Sequence, residues 1–503
     1  MGFVICALHT PESNGEVCGL QSDKGPKVAI IGAGPAGLTA GWELISSKQE
    51  FDVIFFESDS QVGGISKTVR WRGWRFDLGG HRFFSKSSKV NELWDEMLHP
   101  EIMMSRPRKS RIYYRKKYFE YPLKAFNALR NLGFFETFRC ILSYILVRIK
   151  PPKDQTTFEG WVAARFGWRL YKIFFKTYTE KVWGISTTQL QATWAAQRIK
   201  SLSLKTAILD AFGFSKKREI TSLIDEFKYP TYGPGQLWES AQQKLAKEGV
   251  EFYFDELVSR VTNISPGYSI ESTSKRIIEA EYVFSSIPLA DVPKLLNAPF
   301  KVQEAAGNLR FRDFLVVCIT VVNDKELFDD NWIYIHDPGV KVGRIQNYAS
   351  WSPAMVLDGT SCLGLEYFVS EGDKLWESND EDLINLAKKE LRILGFNLNY
   401  HDVGGCVVRV KKAYPIYDST YQTNVNMVRT WLQENHPNWF QIGRNGQHRY
   451  NNQDHSMLTA SLAVQCLLNK SASVDYWNVN LDDEYHEEST QTREAPLFPT
   501  SRN

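Results

Sequence analysis

The chain has 503 residues, which at roughly 100–200 residues per domain predicts two to four folding units. Lys and Arg (60) nearly balance Asp and Glu (58), so the net charge of +2 offers no basic domain of the kind a dedicated nucleic-acid binder carries. With 43% hydrophobic and 23% charged residues the composition is that of a folded globular protein, not a disordered one.

Met1–Gly15 has neither a basic start nor a long apolar stretch, so no signal peptide is expected, and residues 1–26 read as a polar extension outside the core. Lys27–Gly32 predicts a short strand, Leu38–Ser47 a helix, and Phe51–Glu57 a second, β-branched and aromatic strand ending in an acid. From about Leu123 to Leu209 the pattern turns helical, with Trp161–Tyr178 and Leu190–Leu202 as its clearest stretches. Strands are expected at Val250–Phe254, Tyr282–Ile287, Phe314–Val322 and Gly364–Ser370, and residues 485–503 read as a tail. The longest apolar run in the helical region, Cys140–Val147, is well short of the ~20 residues that cross a bilayer, so no integral membrane segment is expected. Seven scattered cysteines (Cys6, Cys18, Cys140, Cys318, Cys362, Cys406, Cys466) include no C-x-x-C pair, which suits a reducing compartment and disfavours zinc. A cytoplasmic protein without a metal site is the expectation.

Between the first strand and the first helix stands Gly32-Ala33-Gly34-Pro35-Ala36-Gly37. Gly32 permits the tight turn, Gly34 lets backbone approach a pyrophosphate, and Gly37 lets helix and strand pack closely. The phosphates would sit on the helix N-terminus, and Glu57, ending the second strand, would accept from a ribose diol. Ser58 follows, then Gly63-Gly64-Ile65-Ser66, and then Asp77-Leu78-Gly79-Gly80-His81-Arg82. This succession resembles the FAD-binding half of the amine oxidase and protoporphyrinogen oxidase superfamily, and Ile442-Gly443-Arg444-Asn445-Gly446 resembles its returning flavin segment. The resemblance implies FAD, not NAD.

Further motifs resemble one branch of that superfamily, the UDP-galactopyranose mutases of eukaryotic type. Gly79-Gly80-His81 is similar to the loop whose histidine lies against the flavin. The stretch from Tyr178 through Lys181 and Trp183 to Arg198 is similar to the segment supplying a diphosphate-binding arginine. Trp332-Ile333-Tyr334, Arg344 and Asn347-Tyr348 resemble the strand pair that carries a second arginine and a substrate tyrosine. Tyr414-Pro415 and the run Tyr450-Asn451-Asn452-Gln453-Asp454-His455-Ser456 resemble two more active-site stretches, and Tyr121 the aromatic position that stacks on uracil. Departures at Leu123-Lys124 and Gln447-His448, near the ligand pockets, leave the base and the sugar open.

The resemblance implies an α/β fold: a Rossmann-like FAD-binding domain with an inserted helical unit and an antiparallel substrate-binding sheet. The expected division assigns 27–105, 233–290 and 436–484 to the FAD domain and 124–215 to the helical domain. Residues 106–123, 216–232 and 291–435 go to the substrate sheet. The implied activity is a mutase that interconverts pyranose and furanose forms of a nucleotide-diphosphate sugar, with reduced flavin attacking the anomeric carbon through N5. Arg198 and Arg344 would clamp the diphosphate bidentately and His81 would position the flavin. Tyr121, Trp332, Tyr334, Asn347, Tyr414 and Tyr450 would form the substrate wall; Arg444, Asn452, Gln453 and Ser456 would join the glycine loops around FAD. NAD(P)H is the implied reductant, a nucleotide sugar the implied partner, and a homo-oligomer is compatible with the sequence. The alternative is an FAD-dependent oxidase acting on an amine or alcohol, which leaves the two arginines without a task.

Overall fold

Lys27–Ile31 and Asp52–Phe56 are apolar on both faces, as strands buried from both sides must be. They lie in a five-stranded parallel sheet in the order Trp439–Gln441, Tyr282–Ser285, Lys27–Ile31, Asp52–Phe56, Glu251–Tyr253. In this computed structural model the described residues are 25–121, 123, 125–192, 226–322, 327–396, 402–469 and 474–479. Residues of alternating parity face opposite cores. Val28 and Ile30 meet Leu38 and Leu44 of the helix Pro35–Ile45 and Ala460 and Val464 of the helix Gln453–Asn469. Ala29 and Ile31 meet Val302, Val428 and Leu432 from the helices Phe300–Gly307 and Tyr421–Asn435. The sheet thus collects strands from three distant stretches of the chain, and helices cover both faces.

A second sheet has seven strands in the order Asp402–Pro415, Phe311–Val322, Thr360–Val369, Arg344–Asn347, Trp332–Ile335, Ser110–Tyr114, Lys117–Glu120. All its pairings are antiparallel except the parallel junction of Trp332–Ile335 with Ser110–Tyr114. One face, through Leu315, Val317 and Ile319, buries Leu383, Ala387 and Leu391 of the helix Asp380–Ile393. That helix starts at Asn379, whose side chain accepts from the Asp382 amide at 2.8 Å, with three acids in its first turn to match the positive end of the helix dipole. The other face, through Phe314 and Val316, shares a core with Phe158, Val162, Phe166 and Trp183 of the helical unit.

The continuous helix expected over Trp161–Tyr178 is interrupted. Phe158–Phe166 stops at Gly167, which has φ +80° and whose Cβ would lie 2.8 Å from the Tyr144 amide nitrogen, so only glycine lets the neighbouring helix approach. A short turn, Trp168–Leu170, then leads into a wide π-type turn, Tyr171–Lys176, and the helix Thr177–Trp183. The 1–24 portion of the extension, most of Leu190–Leu202 and the tail 485–503 lie outside the described residues.

Candidate active site

A cleft of about 690 Å³ runs between the two sheets, lined at one end by Gly32, Gly34, Pro35, Ala36, Glu57 and Ser58 and at the other by Arg344, Tyr414 and Tyr450. The volume lies within the roughly 300–1,000 Å³ of small-molecule sites. At the first end the glycine turn is tightened by the Gly32 amide, which donates to the Phe56 carbonyl at 2.8 Å. A Cβ on Gly37 would sit 1.9 Å from the Gly32 carbonyl oxygen, which is the close helix–strand contact that only glycine allows. The second glycine loop lies against the first: the Gly63 amide donates to the Ala33 carbonyl at 2.9 Å, and a Cβ on Gly64 would be 3.4 Å from the Gly34 Cα. The helix Pro35–Ile45 begins at Gly34 with no side chain capping it, so its first-turn amides have no side-chain acceptor.

Glu57 accepts from the Ala33 amide at 2.6 Å and the Asp59 amide at 2.9 Å, with Ser58 Oγ 3.3 Å away. Burial raises its carboxyl above the usual range, while the backbone donors pull it back. A bare helix N-terminus, two touching glycine loops and a buried acid at the end of the second strand fit the pyrophosphate and ribose of a flavin dinucleotide.

Midway along the cleft, the hairpin strand Trp74–Asp77 delivers Leu78-Gly79-Gly80-His81. His81 Nε2 lies 3.2 Å from the Leu78 carbonyl, an atom that can only accept, which favours the tautomer with the proton on Nε2. Nδ1 lies 3.4 Å from Ser66 Oγ, which can donate to it in that tautomer. Burial lowers the imidazole to about 4, helped by the positive charges of Arg444 and Arg344 and opposed by the Leu78 carbonyl. His81 is therefore neutral near pH 7. Asp77 anchors the hairpin from behind, accepting from Tyr229 Oη and from Thr68 Oγ1 at 2.8 Å, and its backbone carbonyl accepts from Tyr348 Oη at 2.7 Å. Complete burial pushes its carboxyl up to about 7 against those hydrogen bonds.

The far end is set by sheet register. Tyr334 stands opposite Arg344, and Arg344 opposite Glu366, so the three side chains form a row across adjacent strands. Arg344 donates through Nε to Glu366 Oε2 at 2.8 Å, and its Nη2 is 2.6 Å from the same oxygen. The two side chains are 17% and 0% exposed. Burial works against the Arg344 charge, but the Glu366 carboxylate outweighs it and holds the guanidinium well above its ordinary value. Gln346 completes the arrangement, donating to Glu366 Oε1 at 2.9 Å. Tyr334 packs 4.8 Å from Tyr121 and 5.5 Å from Tyr178, measured between ring centres. Tyr414 stacks on Tyr450 at 5.7 Å, with the Arg444 guanidinium 4.1 Å from the Tyr450 ring centre.

The structure brings Gly32, Gly34, Pro35, Ala36, Glu57, Ser58, Gly64, Ile65, Ser66, Gly79, Gly80, His81, Arg344, Tyr414, Arg444, Tyr450, Asn452, Gln453 and Ser456 to the wall of one cleft. Gly37 and Gly63 act behind it. Arg444 is committed to backbone: Nε and Nη2 donate to the Ala413 carbonyl at 3.0 and 2.7 Å and Nη1 to the Asn451 carbonyl at 3.0 Å, so it ties together the segments bearing the two stacked tyrosines. Gln453 Nε2 donates to the Arg82 carbonyl at 3.1 Å, and Ser456 Oγ donates to the Asn452 carbonyl at 3.0 Å. Tyr121, Trp332, Tyr334 and Asn347 do not line the cleft as it stands. Trp332 is buried against Trp351, with the Arg82 guanidinium 5.2 Å from its ring, and Asn347 spends its amide on the Phe328 carbonyl at 2.6 Å and Ser350 Oγ at 2.9 Å. Arg198 lies outside the described residues. No motif marks Glu366, because a lone acid within a strand carries none, although it sits inside the apolar strand Thr360–Val369; Asp77, part of the second glycine segment, takes its anchoring role only in the fold.

The family model described as flavin containing amine oxidoreductase matches residues 35–453. A stretch of 78 residues is 32% identical to protoporphyrinogen oxidase 2, chloroplastic/mitochondrial, of Arabidopsis thaliana, covering 16% of this chain and only 15% of that relative. The solved structure of reduced UDP-galactopyranose mutase superposes with a TM-score of 0.79 at 21% identity, covering 91% of this chain and 98% of that one. A protein of Exiguobacterium sp. 255-15, provisionally assigned as a protoporphyrinogen oxidase, gives 0.69 at 14% identity, covering 89% and 99%. At these identities the structural likeness speaks for the fold.

Proposed function

The chain belongs to the flavin-containing amine oxidoreductase family, and from that premise we propose that it is a flavin-dependent isomerase interconverting pyranose and furanose forms of a nucleotide-diphosphate sugar resembling UDP-galactose. The observation that carries this reading is Arg344, held by the buried Glu366, lining the cleft beside Tyr414 and Tyr450 at the end away from Glu57. With Nε and Nη2 engaged by Glu366, the remaining donor edge of the guanidinium suits a diphosphate, repels a protonated amine and gains only one neutral acceptor from an alcohol.

A bound reduced flavin would supply nucleophilic chemistry at the anomeric carbon. The rest falls to the chain. Glu366 holds Nε and Nη2 of Arg344, fixing the plane of the guanidinium so that its remaining edge can keep a departing diphosphate in place for return. The hydroxyls of Tyr334, Tyr414 and Tyr450 would donate to phosphate or sugar oxygens while their rings exclude water. His81, neutral and with Nε2–H held by the Leu78 carbonyl, shapes the flavin loop and carries no proton to the substrate. Arg198 is proposed as the second diphosphate arginine, Tyr121 as the base-stacking aromatic, NAD(P)H as the reductant and the cytoplasm as the setting.

The test is direct. Protein loaded with FAD and reduced with dithionite should bind UDP and convert UDP-galactofuranose to UDP-galactopyranose, read by chromatography. No UDP binding at millimolar concentration and no turnover would overturn the reading. Oxygen-dependent oxidation of amines by the oxidised protein would install the oxidase alternative, which the family description favours.

A further inference from the structure

The helix Phe134–Ile149 presents an apolar face that nothing in the described structure covers. Phe134 (80% exposed), Phe135 (81%), Phe138, Leu142, Ile145, Leu146 and Ile149 (76%) recur at the three- and four-residue spacing of one helix face. Through residue 150, the other exposed positions on this helix and at its end are Arg139, Arg148 and Lys150. The helix's one acid, Glu136, is turned inward onto Arg169, donor and acceptor meeting at 2.9 Å through Nη2 and Oε2. Beyond the N-terminal end lie exposed Arg115, Lys116 and Lys117 of the turn between Ser110–Tyr114 and Lys117–Glu120, and Lys117 Nζ donates to the Asn131 carbonyl at 2.6 Å, which docks that turn on the helical unit. Beyond the C-terminal end lies exposed Lys153, followed by Asp154, whose carboxylate accepts from Thr156.

We propose that this face is a peripheral docking surface for an anionic lipid bilayer, with the helix lying in the plane of the headgroups. Three structural features select that occupant. Seven large apolar side chains, each at least 46% exposed, lie together on one face, a grouping that marks an interaction surface and not scattered surface hydrophobics. At 16 residues and ~1.5 Å per residue the helix is about 24 Å long, too short to cross a hydrocarbon core of about 30 Å, and no described helix is long and apolar enough to do so. The rim carries cations at both ends and none of the exposed helix positions is acidic, the pattern of an interfacial helix on negatively charged lipid. A two-fold pairing of this face with a second copy would bring together two faces whose only exposed charges are Arg139, Arg148 and Lys150, with no carboxylate on either to answer them.

Flotation of the full, FAD-loaded chain with vesicles tests this. Recovery should be at least about tenfold higher on phosphatidylcholine vesicles containing about 30 mol % phosphatidylserine than on phosphatidylcholine alone, and should fall with added salt. The triple variant R139Q/R148Q/K150Q should lose roughly 100-fold in partition onto the anionic vesicles, and F135E/L146E should abolish it. Unchanged flavin absorbance and FAD content in both variants would show that they fold. Absence of flotation by the parent protein, equal recovery on neutral and anionic vesicles, or variants that float like the parent would each overturn the proposal. A parent dimer in sedimentation velocity that F135E/L146E converts to monomer would overturn it in favour of a second copy. None of these readouts involves UDP or turnover, so the surface stands or falls apart from the proposed activity.

Discussion

Arg344 has two jobs in the structure, countercharge to Glu366 and proposed diphosphate ligand, and a pair of variants separates them. Arg344→Ala alone strands the Glu366 carboxylate, which is 0% exposed and keeps Gln346 as a hydrogen-bond donor at 2.9 Å. Removing one partner of such a buried pair costs about 3–5 kcal/mol of stability, mostly as the penalty of an uncompensated buried charge. Adding Glu366→Gln removes that charge and retains an oxygen for Gln346, so R344A/E366Q should recover more than half of the loss. Diphosphate affinity should not recover with it. Hydrogen bonds to a charged group contribute about 1.5–3 kcal/mol each, so both variants should bind UDP roughly 10- to 150-fold more weakly than the parent. Urea denaturation gives the first quantity and calorimetric titration of UDP into the reduced protein the second. If R344A/E366Q regains UDP affinity along with stability, Arg344 is a structural countercharge only and the clamp is wrong.

Gly37→Ala should fold poorly around the cofactor, because its Cβ would lie 1.9 Å from the Gly32 carbonyl oxygen, and the purified variant should carry markedly less FAD per chain; a full complement would refute the packing argument. Glu57→Gln keeps the shape but weakens the acceptor facing the Ala33 amide at 2.6 Å, and FAD affinity measured by fluorescence should drop by about tenfold. The protein should also be acid-labile above the carboxylate range. His81 and His448 are lowered by burial to about 4 and His336 to about 3, so between pH about 6.5 and 4 the unfolded chain takes up three protons that the folded chain refuses. Asp77, raised to about 7, works the other way, holding one proton in the folded state that the unfolded state lacks until about 3.8. The net of about two protons predicts stability falling by roughly 2–3 kcal/mol per pH unit across that window. Urea midpoints that are flat from pH 6.5 to 5 would contradict it, and Asp77→Asn should steepen the fall.

The sequence by itself determined what depends on local geometry. Gly32, Gly34 and Gly37 between a strand and a helix, and Glu57 at the next strand's end, specify a dinucleotide turn because the backbone conformation and the helix N-terminus are built within about thirty residues. His81 and Arg344 were legible because they stand in motifs. What sequence could not show is which side chains face one another across strands. That Arg344 is opposite both Tyr334 and Glu366 follows from the pairing of three strands drawn from residues 332–335, 344–347 and 360–369, and register is fixed by the whole sheet's packing. The commitment of Arg444 to the Ala413 and Asn451 carbonyls, and of Asn347 to Phe328, is likewise a matter of distances that only the folded chain sets. The break at Gly167 came from the crowding of a neighbouring helix against it, a contact absent from the local pattern. Near-zero net charge says as little about the local field: Arg344 stands in the wall of the cleft, held in place by an acid that no motif marks.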